Sequence, residues 1–428
     1  MLLSTTQNVH SDSVGTTPTT VEKASARTFN VYTATIKHLS AHLSKGTLTS
    51  SEIVDTYLRQ IEQWNPKSKA LISVASREQV IRLAEERDQE RREGMVRGVM
   101  HGIPVVLKDN IATDVELGMP TTAGSYALLV GKANLTELAS YKSLKAQDGW
   151  SAVGGQTINV YNPKASPGNS SAGNGVSVAA GFCPASIATE TDGSIVLPAL
   201  ASALYALKPT VGLISRAGVV PLATYFDIPG PMAKCVWDLG TLMDVNWHGD
   251  APSNLSLASH IATAFSDAIT LMSAHGATII DPADIPSAVD GSFYRCRAGA
   301  RSVVVNAGFK EDMGRYLRTL GGEGGVRSVD DLIRFNEEHA DIEMPPDHPG
   351  QDVLLRTLHA VPISSPAYEE AVAEMHYVAG ERGLDAVFRE TGADVLFSLG
   401  DGGRHSLANM VGYPMGASSG DFLRLSRR

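Results

Sequence analysis

The sequence predicts an α/β fold with a central sheet between helices, and three observations carry that prediction. Segments of helical period with clear caps alternate with short apolar, β-branched runs. One of these runs, residues 99–107, closes on Lys108, at a strand's carboxyl end, where open α/β sheets place their ligands. A chain of 428 residues, 43% of them hydrophobic and 19% charged, can build a sizeable core.

Residues 1–28 are rich in Ser, Thr and Val and poor in large apolar groups, so they read as a disordered tail. Residues 29–428 read as a single domain. Residues 33–44 set Ile36, Leu39 and Leu43 at helical spacing and stop at Lys45-Gly46. A second helix starts at the Thr49-Ser50-Ser51-Glu52 cap and runs through Ile53, Val54, Tyr57, Leu58 and Ile61 to Asn65-Pro66. A third spans 77–94, its alternating charges marking a solvated face. Gly102 and Pro104 make a turn that enters the buried strand ending at Lys108.

Residues 128–133 form another short strand, and 176–180 form a small-residue helix or strand. Between 151 and 194 glycine and small residues dominate, giving loops in which backbone approaches backbone. Residues 199–208, then 209–213 and 216–221, have strand-turn-strand character. An amphipathic helix over 255–276 leads to a strand at 277–280, and 321–352 are loops around one helix. A long helix over 366–390 and a final strand at 394–399 complete the expectation.

The formal charge of −10 and the absence of a basic cluster argue against a nucleic-acid partner. Cys183, Cys235 and Cys296 are too scattered for a disulfide framework or a zinc site, and no His/Asp/Glu spacing suggests a metal. No cofactor is called for. The start has neither the basic residues nor the apolar stretch of a signal peptide, and no window approaches 18 apolar residues. The expectation is therefore a cytoplasmic protein without a membrane partner, a monomer or homodimer acting on a small molecule.

Two serines follow Lys108: Ser170 in Gly168-Asn169-Ser170-Ser171-Ala172-Gly173 and Ser194 in Thr189-Glu190-Thr191-Asp192-Gly193-Ser194. A hydroxyl needs a base beside it, and a lysine serves once burial lowers its pKa from about 10.4. That order points to a serine hydrolase without histidine, in which Lys108 takes a proton from Ser170 and Ser170 takes one from Ser194. Neither serine stands in the Gly-x-Ser-x-Gly of a nucleophile elbow. Lys132 could act as a second base but reads as structural, and Asp109 as a local partner. His101 and Cys183 read as packing, Glu190 and Asp227 as supporting groups.

With these motifs, residues 29–414 resemble the amidase signature family. Its Gly-Ile-Pro-x-x-x-Lys-Asp strand matches Gly102 to Asp109, its cis-serine loop matches Ser170, and its nucleophile turn matches Ser194. Thr121-Thr122-Ala123-Gly124-Ser125, Gly131-Lys132-Ala133-Asn134-Leu135-Thr136-Glu137, Lys208-Pro209-Thr210-Val211-Gly212 and Asp227-Ile228-Pro229-Gly230-Pro231-Met232 extend the likeness. The resemblance implies a mixed sheet covered on both faces by helices and an Asn169–Ser170 bond in the cis form. It also implies a Lys108, Ser170 and Ser194 triad, with the backbone N–H groups of Thr191, Asp192, Gly193 and Ser194 as the oxyanion hole. The activity implied is hydrolysis of a non-peptide carboxylic amide through an acyl-Ser194 intermediate.

The chain departs from the family pattern in four places. Asn169 and Ala172 replace glycines, and Asp192 stands where many members have glycine, although Thr-Glu-Thr-Asp-Gly-Ser resembles a fungal and plant branch. Between Leu129 and Gly131 a family helix is missing, and the end is short after Gly412-Tyr413-Pro414. These gaps favour one alternative to an active amidase, a catalytically impaired binding protein; a third reading, which the acidic charge counts against, is a glutamyl-tRNA amidotransferase A-like subunit with an ammonia-channelling partner and bound tRNA.

Overall fold

The computed structural model describes residues 29–113, 128–246, 270, 272–280, 283–320, 325–397 and 405–417. Their frame is a seven-stranded sheet of β1 (Leu71–Val74), β2 (Pro104–Lys108), β3 (Leu128–Ala133), β6 (Ala185–Glu190), β7 (Tyr205–Lys208), β8 (Ile228–Ala233) and β9 (Met415–Ala417). The order is β1-β3-β2-β6-β8-β7-β9, with β4 (Trp150–Ser151) and β5 (Gly155–Gln156) as a separate hairpin. β2 runs parallel to β3 and β6, whereas β1–β3, β6–β8, β8–β7 and β7–β9 are antiparallel, so the sheet is mixed.

Successive strand side chains point to opposite faces, and the cores separate accordingly. Val106, Ala188, Ala206 and Met232 face one core, filled by α2 (Ser50–Ser68), α3 (Arg77–Arg92), α4 (Ala172–Ala179) and α5 (Val196–Ala201). Val105, Ala185, Ile187 and Ala233 face the other, filled by α1 (Ile36–Ser44), α2 and α6 (Val236–Asn246). Helix α2 serves both through Val54, Leu58 and Ile61 on one side and Ile53 and Tyr57 on the other. Its start is the expected capping box, in which Thr49 and Glu52 satisfy each other's backbone N–H.

A third core lacks a sheet. The helices Ser292–Ala298, Ala300–Thr319, Val329–Glu338, Pro366–Met375 and His405–Met410 gather around Phe293, Val304, Phe309, Met375 and Leu407.

Several expectations change. Helix α2 passes Pro66 and ends at Ser68, where Lys69 turns left-handed and its N–H reaches Asn65 O at 2.9 Å. β1, β6 and β8 are strands that periodicity did not mark. β8 holds Pro229 and Pro231 inside the sheet, which is tolerated because β7 pairs with it only at Met232 and Ala233. Residues 209–213 and 216–221 are not strands; they contribute one bridge, Ile111 to Val219. Residues 277–280 are irregular, with Ile279 and Ile280 exposed, so no sheet face holds them. The helix before them falls mostly outside the described residues, as do residues 1–28 and 121–125.

Residues 325–343 hold two helices rather than one, Val329–Glu338 and Ala340–Glu343. The long helix over 366–390 is broken: a π-helical stretch, His376–Leu384, carries a non-helical Gly383. The last expected strand is irregular over its described residues, 394–397. Residues 176–180 belong to a helix, α4.

Candidate active site

Lys108 is the last residue of β2, which lies between β3 and β6 and is buried on both faces. Its Nζ donates to Ser170 Oγ at 2.8 Å and to Thr189 O at 3.2 Å. Ser170 Oγ in turn donates to Ser194 Oγ at 2.9 Å. Burial pushes the Lys108 ammonium down from 10.5 to about 7, against the pull of the Glu190 and Asp227 carboxylates. A buried amine, a bridging hydroxyl and a second hydroxyl thus form one hydrogen-bonded row, an arrangement able to pass a proton.

The loop that carries Ser170 is held by its neighbours. The Asn169–Ser170 peptide is cis. Gly168 has φ +79°, and a Cβ there would lie 2.5 Å from Pro198 Cα, so only glycine fits. The Thr136 N–H donates to Ser170 O at 2.8 Å, and the Ser171 N–H donates to Ser194 O at 3.3 Å, which joins the two serine loops. The side chains that replace family glycines both find places. Asn169 Nδ2 donates to Asp148 Oδ1 at 2.5 Å, and the Ala172 methyl sits where Gly149 leaves room.

Ser194 follows β6 on a turn that Gly193 makes at φ +83°. The Glu190 carboxylate accepts the N–H groups of Ile195 and Val196 at 2.7 and 3.1 Å and thereby fixes the far side of the turn. Thr191 Oγ1 donates to Asp227 Oδ1 at 2.6 Å, while Asp227 Oδ2 accepts from the N–H groups of Leu222 and Ala223. Burial raises Asp227 to about 6. The backbone N–H groups of Thr191, Asp192, Gly193 and Ser194 meet no backbone acceptor among the described residues. Four donors on one turn beside a hydroxyl are suited to an oxyanion.

The remaining sequence candidates sit elsewhere. Lys132 Nζ donates to Asp109 O at 2.9 Å and lies 3.7 Å from its carboxylate, a partnership outside the serine row. His101 bonds Arg87 O at 3.0 Å. Burial lifts the Cys183 thiol to about 12, where it stays protonated.

Sequence reasoning missed four groups that reach the Ser194 turn from the helical region. Arg301 Nη2 lies 2.6 Å from Asp192 Oδ2, Ser406 Oγ donates to both Asp192 oxygens, and Asn409 Nδ2 donates to Asp192 Oδ1 at 3.1 Å and to Glu190 Oε1 at 3.2 Å. His405 Nε2 is 3.4 Å from Asp192 Oδ1. Burial opposes the charge of Asp192, yet Arg301, His405 and these donors hold its carboxyl below the usual range. The one available signal was Asp192 itself, a carboxylate on a turn built for anions. Among the described residues no His/Cys/Asp/Glu group could hold a metal ion, and no helix is long and apolar enough to cross a membrane.

Comparison with known proteins places this geometry. The family model described as Amidase matches residues 52–129 and 126–267. A probable amidase of Arabidopsis thaliana is 30% identical over 90% of this chain and 83% of its own length. A putative amidase of Schizosaccharomyces pombe is 39% identical over 50% of this chain and 40% of its own length. A peptide amidase solved in complex with the competitive inhibitor chymostatin superposes with a TM-score of 0.77 at 30% identity, covering 90% of each chain.

Proposed function

The chain belongs to the amidase signature family, and on that premise we propose that it hydrolyses a linear carboxylic amide through an acyl-Ser194 intermediate. The observation that carries the reading is the continuous row from Lys108 Nζ through Ser170 Oγ to Ser194 Oγ, at 2.8 and 2.9 Å. Hydroxyl protons rotate about the C–O bond, so the same contacts carry protons in either sense.

In the first half-reaction Ser194 Oγ attacks the amide carbon. Its proton passes to Ser170 Oγ as the Ser170 proton passes to the neutral Lys108 amine. The carbonyl oxygen becomes an oxyanion, received by the N–H groups of Thr191, Asp192, Gly193 and Ser194. Collapse breaks the C–N bond, and the proton on Lys108 returns through Ser170 to the leaving nitrogen, which departs as ammonia or an amine. Water then attacks the acyl-enzyme as its proton passes through Ser170 to Lys108, and on collapse of the second tetrahedral intermediate that proton returns through Ser170 to the departing Ser194 Oγ, releasing the carboxylic acid and free Ser194.

Lys108 near 7 suits this work, because a base whose pKa lies close to the working pH is both available and strong enough. A fluorophosphonate probe tests the reading: it should label Ser194 in the wild-type chain, and Ser194→Ala should abolish labelling together with amide turnover. A panel of simple carboxamides and peptide amides, the latter suggested by the name of the similar peptide amidase, would then sort substrates. Folded Ser194→Ala protein that still hydrolyses amide at an appreciable rate would overturn the assignment.

A further inference from the structure

Asp192 brings a carboxylate onto the turn where the proposed reaction develops negative charge. It stands next to Gly193 and two residues before Ser194, and its own N–H is one of the four oxyanion donors. Like charges oppose each other more strongly as the local dielectric falls. The oxygens of this carboxylate are taken up on the side of the helical region, by Arg301, Ser406 and Asn409, with His405 beside them. Of these groups Arg301 is the guanidinium, whose planar fork matches a carboxylate.

Arg301 occupies the first turn of the helix Ala300–Thr319, with its guanidinium 5.7 Å from the centre of the Phe226 ring. Phe226 precedes Asp227, which accepts from Thr191 on the same nucleophile turn. The guanidinium is thus wedged between the helical core and the turn, on packing that both share.

We propose that Arg301 is a positioning residue for amide hydrolysis: its guanidinium neutralises the Asp192 carboxylate and so lets the N–H groups of residues 191–194 receive an oxyanion. The proposal rests on the acyl-Ser194 reading. It predicts that Arg301 matters because Asp192 is charged, which a purely structural arginine would not require.

A double-mutant cycle tests this, with the rate of fluorophosphonate labelling at Ser194 as readout and near-ultraviolet circular dichroism as the check of fold. Arg301→Met should slow labelling roughly 10- to 100-fold, up to the value of one lost oxyanion donor. In the Asp192→Asn background the same replacement should change the rate by less than about threefold, because the charge it compensated is gone. Arg301→Lys, which keeps a positive charge on a similar stem, should retain most of the rate and guards against a Met variant that does not fold.

Equal slowing by Arg301→Met in both backgrounds would reduce Arg301 to a tether and overturn the proposal, as would a rate unchanged from wild type. So would folded Arg301→Lys protein that loses the rate altogether. A wild-type chain that never labels at Ser194 would instead remove the hydrolytic reading, and this proposal with it.

Discussion

The sheet and the helical region hold the nucleophile turn by different means. The sheet places Lys108 and Ser194 through backbone: Lys108 ends β2, Ser194 follows β6, and these strands are neighbours in the parallel part of the ladder. Ser170 is fixed by main-chain bonds from Thr136 and by the Gly168 contact with Pro198. The helical region reaches the same turn through side chains alone, Arg301, His405, Ser406 and Asn409. Main chain fixes where atoms sit, whereas long side chains tune charge around them. On the proposed reading the chemistry belongs to the sheet and its electrostatic setting to the helices, so variants in the two regions should fail differently.

The largest effect should come from the sheet. Lys108→Met removes the proposed base while keeping an unbranched side chain on β2, and should lower amide turnover by roughly 10² to 10⁴-fold, the usual value of general acid–base catalysis. Circular dichroism should remain that of the wild type. Turnover within tenfold of wild type would move the base to another residue and break the assignment of chemistry to β2.

In the helical region the expected loss is of stability. Phe309 is fully buried and its ring centre lies 4.6 Å from that of Tyr141, so Phe309→Ala should cost about 3–5 kcal/mol in a denaturant titration. Labelling of the protein that remains folded should fall by no more than Arg301→Met produces, since the Lys108 row does not pass through this core. Complete loss of labelling in folded Phe309→Ala protein would erase the distinction between the regions.

Acid should act on the sheet first. With Lys108 at about 7, the neutral amine is the reactive form, so turnover should rise nearly tenfold per unit of pH below that value and level off above it. The linkage runs the same way: the unfolded lysine titrates near 10.5, so the unfolded chain binds more protons between about 7 and 10.5 and this group's contribution to stability grows as pH rises through that window. A rate that still climbs steeply up to pH 10 would mean that Lys108 keeps its ordinary pKa.

The same division decides what the sequence could convey. That Lys108, Ser170 and Ser194 would come together was legible because each closes a local motif whose geometry follows from neighbours in the chain. β3, α1 and the Thr49 cap were legible for the same reason, through period and capping. β6 was hidden by its alanines and serine, which give no β-branched run, and β8 by its two prolines. Apart from Asp192 itself, nothing in the sequence pointed to its partners. Arg301 and Asn409 lie more than a hundred residues away on helices whose packing is set by other side chains, and a pairing across such a distance leaves no spacing to read. The strand expected at 277–280 is a failure of the opposite kind, an apolar run without a neighbouring strand to accept it.

The smallest effect should come from the edge of the sheet region. The side chain of Thr49 accepts the Glu52 N–H at 3.1 Å, and Glu52 Oε2 accepts the Thr49 N–H at 2.8 Å, so Thr49→Ala removes half of a reciprocal cap. The cost should be about 0.5–2 kcal/mol of stability by denaturant titration. Helix α2 contributes five side chains to two hydrophobic cores, Val54, Leu58 and Ile61 to one and Ile53 and Tyr57 to the other, and these hold it in place once its first turn loosens. Labelling of Ser194 should therefore match the wild type at temperatures well below melting. A marked fall in labelling would show that the start of α2 is coupled to the nucleophile turn, and that the sheet places its chemistry less independently of its surroundings than the backbone bonds imply.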